Sequence, residues 1–216
     1  MPIDKTELRD EVLANLEIDA TDEAKFKVFD HLNQAQEFLA NSLPHTELES
    51  IKNDLKLDIG ANQSRYSWPD GILYSAAPVF RRFISLWLAT DGVSITDAAP
   101  GKKCTKYDEK LHSFPISNYG TIDYPFVDIN GNDEFIISPV SSSTITDGIQ
   151  LIYIRTPVKI TASVDSELNN RFKSWMILRA TELSCLVENY RPKMSAEFKT
   201  KQENELLGIL PKGGPE

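Results

Sequence analysis

Apolar positions change period several times along the chain, and each change marks an element. Leu8, Val12 and Leu16 recur at helical spacing after Asp4, which is placed to cap, with Glu7 three residues on. Thr21 caps a second predicted helix, Asp22–Asn41, whose Val28, Leu32, Ala35 and Leu39 form a stripe widened by Phe29 and Phe38. Acidic residues crowd its first turn, where the helix dipole favours them, and Pro44 stops it. Thr46–Leu55 predicts a short third helix. Leu55, Leu57 and Ile59 then alternate with Lys56 and Asp58, which is the period of a strand.

The middle of the chain is punctuated by turn residues. Pro69 holds Trp68 in extended geometry, and Asp70-Gly71 turns the chain. Phe80–Ala89 predicts a strand, with a buried helix as the alternative. Asp91-Gly92 and Ala99-Pro100-Gly101 bracket a connecting strand, and Tyr107–His112 suits one helical turn. Tyr124–Ile129 and Glu134–Ser138 are short β-prone runs joined through Asn130-Gly131, a dipeptide that fits a type I′ hairpin turn. Ile149–Arg155 follows a loop rich in Ser and Thr and is expected beside those two strands, with Pro157 ending it.

Asp165 or Ser166 opens the strongest predicted helix, Ser166–Glu188, where Leu168, Phe172, Trp175, Leu178, Leu183 and Leu186 fill two overlapping stripes. Pro192 starts a last helix reaching about Leu207, polar except for Met194, Phe198 and Leu206. The predicted fold class is α+β: a helical bundle with a small antiparallel sheet and hairpin inserted between N-terminal and C-terminal helices. Residues 1–55 and 166–207 form the helical body, 56–165 the β-rich insertion and 208–216 a flexible tail.

Composition narrows the function classes. The chain has 216 residues and 24.3 kDa, so one domain, or one with an insertion, is expected. Hydrophobic residues at 41% and charged ones at 25% describe a soluble globular protein. A net charge of -9 argues against a groove that clamps nucleic acid through its phosphates. It suits solubility first, and after that a wall past which DNA slides. Cys104 and Cys185 have neither CxxC spacing nor a disulfide framework, so reduced thiols in cytosol are expected. No apolar run follows Met1-Pro2-Ile3-Asp4, so neither a signal peptide nor a membrane span is expected.

Candidate chemistry is thin. The Asp128–Asp133 stretch lacks the glycine and bidentate glutamate that a calcium loop needs at their positions, and a hairpin turn explains it better. His31, His45 and His112 have no partners at ligand spacing. Asp165 and Glu167 suit a helix cap and dipole better than Mg²⁺. Arg81-Arg82 and the spread of Lys193, Lys199 and Lys201 suit solvated faces, and Trp68, Trp87 and Trp175 suit core packing. No catalytic residue, metal or cofactor is expected. Leu206, Leu207, Ile209 and Leu210 form an apolar tip beyond a polar helix, which is either a peptide that docks on a partner or a segment folded back on the body.

Two N-terminal helices, the extended Tyr66-Ser67-Trp68-Pro69-Asp70 segment, a hairpin, the strand Ile152–Pro157 and a long helix follow in order. That order resembles the head-to-tail adaptor (connector) proteins of short-tailed bacteriophages. The resemblance implies a virion structural protein of the neck, assembled in the host cytoplasm as a homo-oligomeric ring, usually a dodecamer. Such a ring binds the portal protein above and the tail or nozzle protein below, and extends the channel through which DNA passes without sequence-specific binding; no membrane is involved. It implies portal docking through Leu206, Leu207, Ile209, Leu210 and Pro211. The loops at Asn130-Gly131 and Ser142-Ser143 would face a neighbour or the tail. The alternatives are a stopper or other tail-completion protein, a Mg²⁺-dependent packaging nuclease, and a tail-tip binding module.

Overall fold

Asp4 opens the first helix, α1 (Lys5–Leu16), because its carboxylate accepts the otherwise unpaired N–H groups of Thr6 (2.7 Å) and Glu7 (3.1 Å). The computed structural model describes residues 2–67, 80–89, 92–107, 116, 120–130, 134–187 and 190–209. Contacts divide the chain into a helical unit, 1–51 with 156–216, and a sheet unit, 52–155. The mixed α+β class is as expected.

In the helical unit, α1 buries Leu8, Val12, Leu13 and Leu16. The second helix starts later than its sequence suggests. Ala20–Asp22 forms a 3₁₀ turn and Lys27 takes a left-handed conformation (φ 52°), so α2 runs Val28–Ser42. The expected third helix is two 3₁₀ turns, His45–Glu47 and Glu49–Ile51, which bury Leu48 and Ile51 before the chain extends.

The returning segment is held on α2 by side-chain amides. Asn33 Nδ2 donates to Ile160 O (3.0 Å) while its Oδ1 accepts from Ile160 N–H (2.7 Å), and Gln36 Nε2 donates to Val158 O (2.8 Å). Ser166 does not open a helix. Its backbone exchanges two 3.1 Å hydrogen bonds with Ile3, and its buried hydroxyl donates to Gln36 Oε1 (2.6 Å). Capping passes to Asn169, which leads through a 3₁₀ turn (Asn170–Phe172) into α3 (Lys173–Cys185). Trp175 is wholly buried and stacks on Phe38 at 5.3 Å, the core role expected of it. Pro192 sits at the first position of α4 (Pro192–Ile209), which packs on α3.

The sheet unit begins with β1 (Lys52–Ile59), whose burial alternates residue by residue as its hydrophobic pattern requires. The remaining strands are β2 (Arg65–Ser67), β3 (Phe80–Leu88), β4 (Lys102–Lys103), β5 (Thr105–Lys106), β6 (Phe126–Asn130), β7 (Glu134–Ser138) and β8 (Ile145–Arg155). They make two four-stranded sheets, β1-β8-β3-β4 and β2-β7-β6-β5, antiparallel except for the β5–β6 pair. The last strand therefore does not lie beside the hairpin, as its proximity in sequence suggests. It lies between β1 and β3, because its apolar run Ile149–Ile154 needs a neighbour on each edge and both faces largely covered.

One hydrophobic cluster draws on both sheets, including Leu86, Ile149, Leu151 and Tyr153 from one and Tyr66, Val127, Phe135 and Ile137 from the other. Tyr66 and Phe135 stack at 5.5 Å, and the Tyr66 hydroxyl, whose pKa burial raises, accepts from Gly60 N–H and donates to Gln63 O. The extended reading holds for Tyr66-Ser67. Trp68, Pro69, Asp70 and Gly71 lie outside the described residues, as do Asp91 and positions 108–112 of the expected helical turn.

Candidate functional site

The C-terminal helix is the first candidate surface. Its start is clamped by Arg191, which pairs with Glu17 at 2.9 Å and lies over the Tyr190 ring at 5.0 Å. Tyr190 in turn tilts against Phe26 at 4.7 Å. Beyond the clamp, α4 buries Ser195, Phe198 and Gln202, a seam at helical spacing that is two-thirds polar. Leu206 continues that seam and is half-buried. Leu207 and Ile209 belong to the helical backbone of α4, so helix, not extended peptide, carries the chain to Ile209. Leu210 and Pro211 lie outside the described residues.

The second candidate surface is at the ends of the β6–β7 hairpin. The ladder closes on Asn130↔Glu134, which makes Asn130 the last paired residue. The expected two-residue I′ turn is thereby excluded, since three residues separate the closing pair; Gly131 lies outside the described residues. At the opposite end, Phe126 pairs with Ser138, and the chain continues into the serine loop. Asn130 and the Ser142-Ser143 pair are thus a strand length apart, roughly 13 Å or more along β7. They do not form one surface spot.

The serine loop is pinned in place. Ser141 O accepts from Asn62 N–H (2.7 Å), while Ser141 Oγ donates to Ser143 O (2.7 Å) and accepts from Ser143 N–H (3.2 Å). Ser142 and Ser143 are exposed and line a groove of about 360 Å³ whose apolar walls include Ile59, Leu88, Pro125, Pro139 and Ile145. Beside it lies a feature that the hydrophobic pattern does not announce. Thr121 and Tyr124 exchange backbone hydrogen bonds of 3.2 and 3.1 Å, closing a tight turn that leaves Ile122 53% and Tyr124 74% exposed. The sequence predicts a strand from Tyr124; the strand begins at Phe126. The Thr121 hydroxyl, which also accepts from Tyr124 N–H (3.2 Å), is the sequence signal that could have found this turn.

The ionisable groups that invited chemistry are engaged in packing. Asp165 is held by Lys5 and its carboxyl is kept below the usual carboxylate range by those hydrogen bonds, while Glu167 Oε2 accepts from Val158 N–H (2.7 Å). His31 and Ser184 share a buried 2.8 Å hydrogen bond, and burial lowers the His31 pKa. Cys104 and Cys185 are free and buried, and desolvation pushes the Cys104 thiol up to about 12. Among the described residues no group of three or more His, Cys, Asp or Glu is arranged to hold a metal ion, and no helix is long and apolar enough to cross a membrane.

The helical unit and the sheet unit each bury a core of their own, and the Thr121–Tyr124 turn leaves two large apolar side chains exposed. The family model described as SU10 adaptor protein matches residues 4–205, and the chain belongs to that family: it is a phage head-to-tail adaptor protein. No curated protein matches it. The match ends at Glu205, one residue short of the apolar tip of α4.

Proposed function

We propose that copies of this chain assemble as a ring, a dodecamer, in the virion neck, joining the portal to the tail and extending the DNA channel. Membership of the adaptor family over residues 4–205 carries this reading. The net charge of -9 supports it, because an acidic wall repels phosphates and lets DNA pass. The protein acts by shape: a ring requires one patch of each subunit to meet a different patch of the next. Leu206, Leu207, Ile209, Leu210 and Pro211 dock on the portal, and the loops at Asn130-Gly131 and Ser142-Ser143 face a neighbouring subunit or the tail.

The test uses purified portal with the full chain and with a chain truncated after Asn204. Binding by the full chain and its loss on truncation are expected. Portal binding that survives truncation removes the docking role of the tip, and no portal binding by either chain favours a position lower in the neck. Cleavage of linear DNA with Mg²⁺, abolished by Asp165→Ala, would replace the structural reading with a nuclease.

A further inference from the structure

The two edges of the β1-β8-β3-β4 sheet are finished differently. At one edge, β4 is only Lys102-Lys103, both exposed; brevity and like charge are devices that discourage a further strand from adding. At the other, β1 is eight residues long, and among the described residues β8 is the only strand paired with it. Six of its residues keep an unbroken ladder with β8, from Lys52↔Ile154 to Leu57↔Ile149, before a register shift between Leu57 and Ile59. A regular edge of this length offers a row of N–H and C=O groups to an incoming strand.

The side chains of β1 specify which strand that is. Its exposed face carries Lys52, Asp54, Lys56 and Asp58 in alternating sign, and its other face carries the half-buried Asn53, Leu55 and Leu57. Laid antiparallel against itself with Leu55 opposite Leu55, the strand places Lys52 opposite Asp58 and Asp54 opposite Lys56. Every charge then meets its opposite, the polar faces coincide, and Leu57 lies opposite Asn53. Opposite charges directly across an antiparallel ladder attract, and like charges repel. A parallel match in the same register would set each charge against its own kind.

We infer that β1 is a self-complementary edge through which two copies of the chain pair about a two-fold axis at Leu55, joining two four-stranded sheets into one. Asp54, Asp58 and Lys56 retain capacity for this. Asp54 accepts from Gln150 Nε2 (2.6 Å), Asp58 accepts from Asp147 N–H (2.9 Å), and Lys56 donates to Ile95 O (2.9 Å). A carboxylate offers further acceptor sites and an ammonium two further protons. The contact is isologous and closes on itself, so it differs from the patch-to-different-patch contact of a cyclic ring and does not depend on that reading. It describes the free protein, in which β1 has β8 as its only paired strand among the described residues.

Sedimentation of the full chain, without portal, tests this. The wild type is expected at twice 24.3 kDa, with the dimer weakened by added salt because the charges are exposed. Lys52→Glu with Lys56→Glu makes the row wholly acidic, and Asp54→Lys with Asp58→Lys makes it wholly basic; each alone is expected to be monomeric. Mixing the two should restore a heterodimer. Lys52→Glu with Asp58→Lys exchanges the outer charges, keeps the complementarity and should stay dimeric. Circular dichroism and melting confirm that each variant is folded. A wild type that is monomeric at every concentration overturns the inference. So does an oligomer whose mass none of these substitutions changes, or a mixture of folded acidic and basic variants that stays monomeric.

Discussion

Lys5 and Asp165, 160 residues apart in sequence, are joined twice: Asp165 Oδ1 accepts from the Lys5 backbone N–H (3.2 Å) and from its ammonium (3.0 Å). The contact adjoins the Ile3–Ser166 bridge and ties the beginning of the chain to the segment that leads into α3. These hydrogen bonds depress the Asp165 pKa, so the unfolded chain binds the proton more readily. The resulting stability is present above the unfolded value near 3.8 and is lost as pH falls through the lower folded value. Asp165→Asn is expected to lower the melting temperature slightly at neutral pH, since the pair is exposed, and to flatten the acid limb of a melting-temperature profile.

His31 gives a second pH dependence at milder acidity. Burial between α2 and α3 lowers its pKa from the ordinary 6.5; Asp30 opposes that shift, and Lys27 and Arg179 add to it. Below 6.5 the unfolded chain takes up a proton that the folded chain resists, so stability falls as pH drops through the folded value. Melting followed from neutral to mildly acidic pH should show this loss. His31→Gln, which can still bond Ser184 and does not titrate, should reduce it.

Trp175 supplies the largest expected stability effect. Trp175→Ala removes a fully buried ring and its stack on Phe38, and should destabilise the helical unit by about 3–5 kcal/mol in denaturant titration. The indole N–H has no hydrogen-bond partner among the described residues. Trp175→Phe, which keeps a ring and strands no polar partner, should therefore cost well under that amount.

Tyr124 separates surface from core. Its ring is exposed on a turn closed by backbone bonds, so Tyr124→Ser should change stability by no more than about 0.5 kcal/mol. If the Ile122–Tyr124 turn meets a partner, the same substitution should weaken assembly onto purified neck components, measured as a loss of co-sedimentation. Unchanged assembly would remove that turn from the contact surface.

Some local signals in the sequence hold, although Thr21 does not begin α2 and Asn130-Gly131 does not make a two-residue turn. Asp4 caps α1 and Pro192 begins α4 because each acts on backbone within a few residues of itself. The strand reading of Phe80–Leu88 likewise follows from its own composition. The place of β8 is not legible, because its partners β1 and β3 lie far away in sequence and no turn residue announces them. The start of α3 is hidden for a similar reason: Ser166 has the chemistry of a cap, but Ile3 and Gln36 engage it first. Of the candidate contact residues, Ser142 and Ser143 are found exposed beside an apolar groove, and Leu206 half-buried on a helix. Neither placement follows from counting apolar residues, since both are set by what the rest of the fold leaves uncovered.

The chain enters the sheet unit at Lys52 and leaves it after Arg155, and Lys52 stands directly across the ladder from Ile154. Entry and exit are therefore neighbours, separated by about the 5 Å that divides adjacent strands. An insertion stapled at its mouth in this way is a cassette. Its two ends lie close enough for a few residues of chain to span.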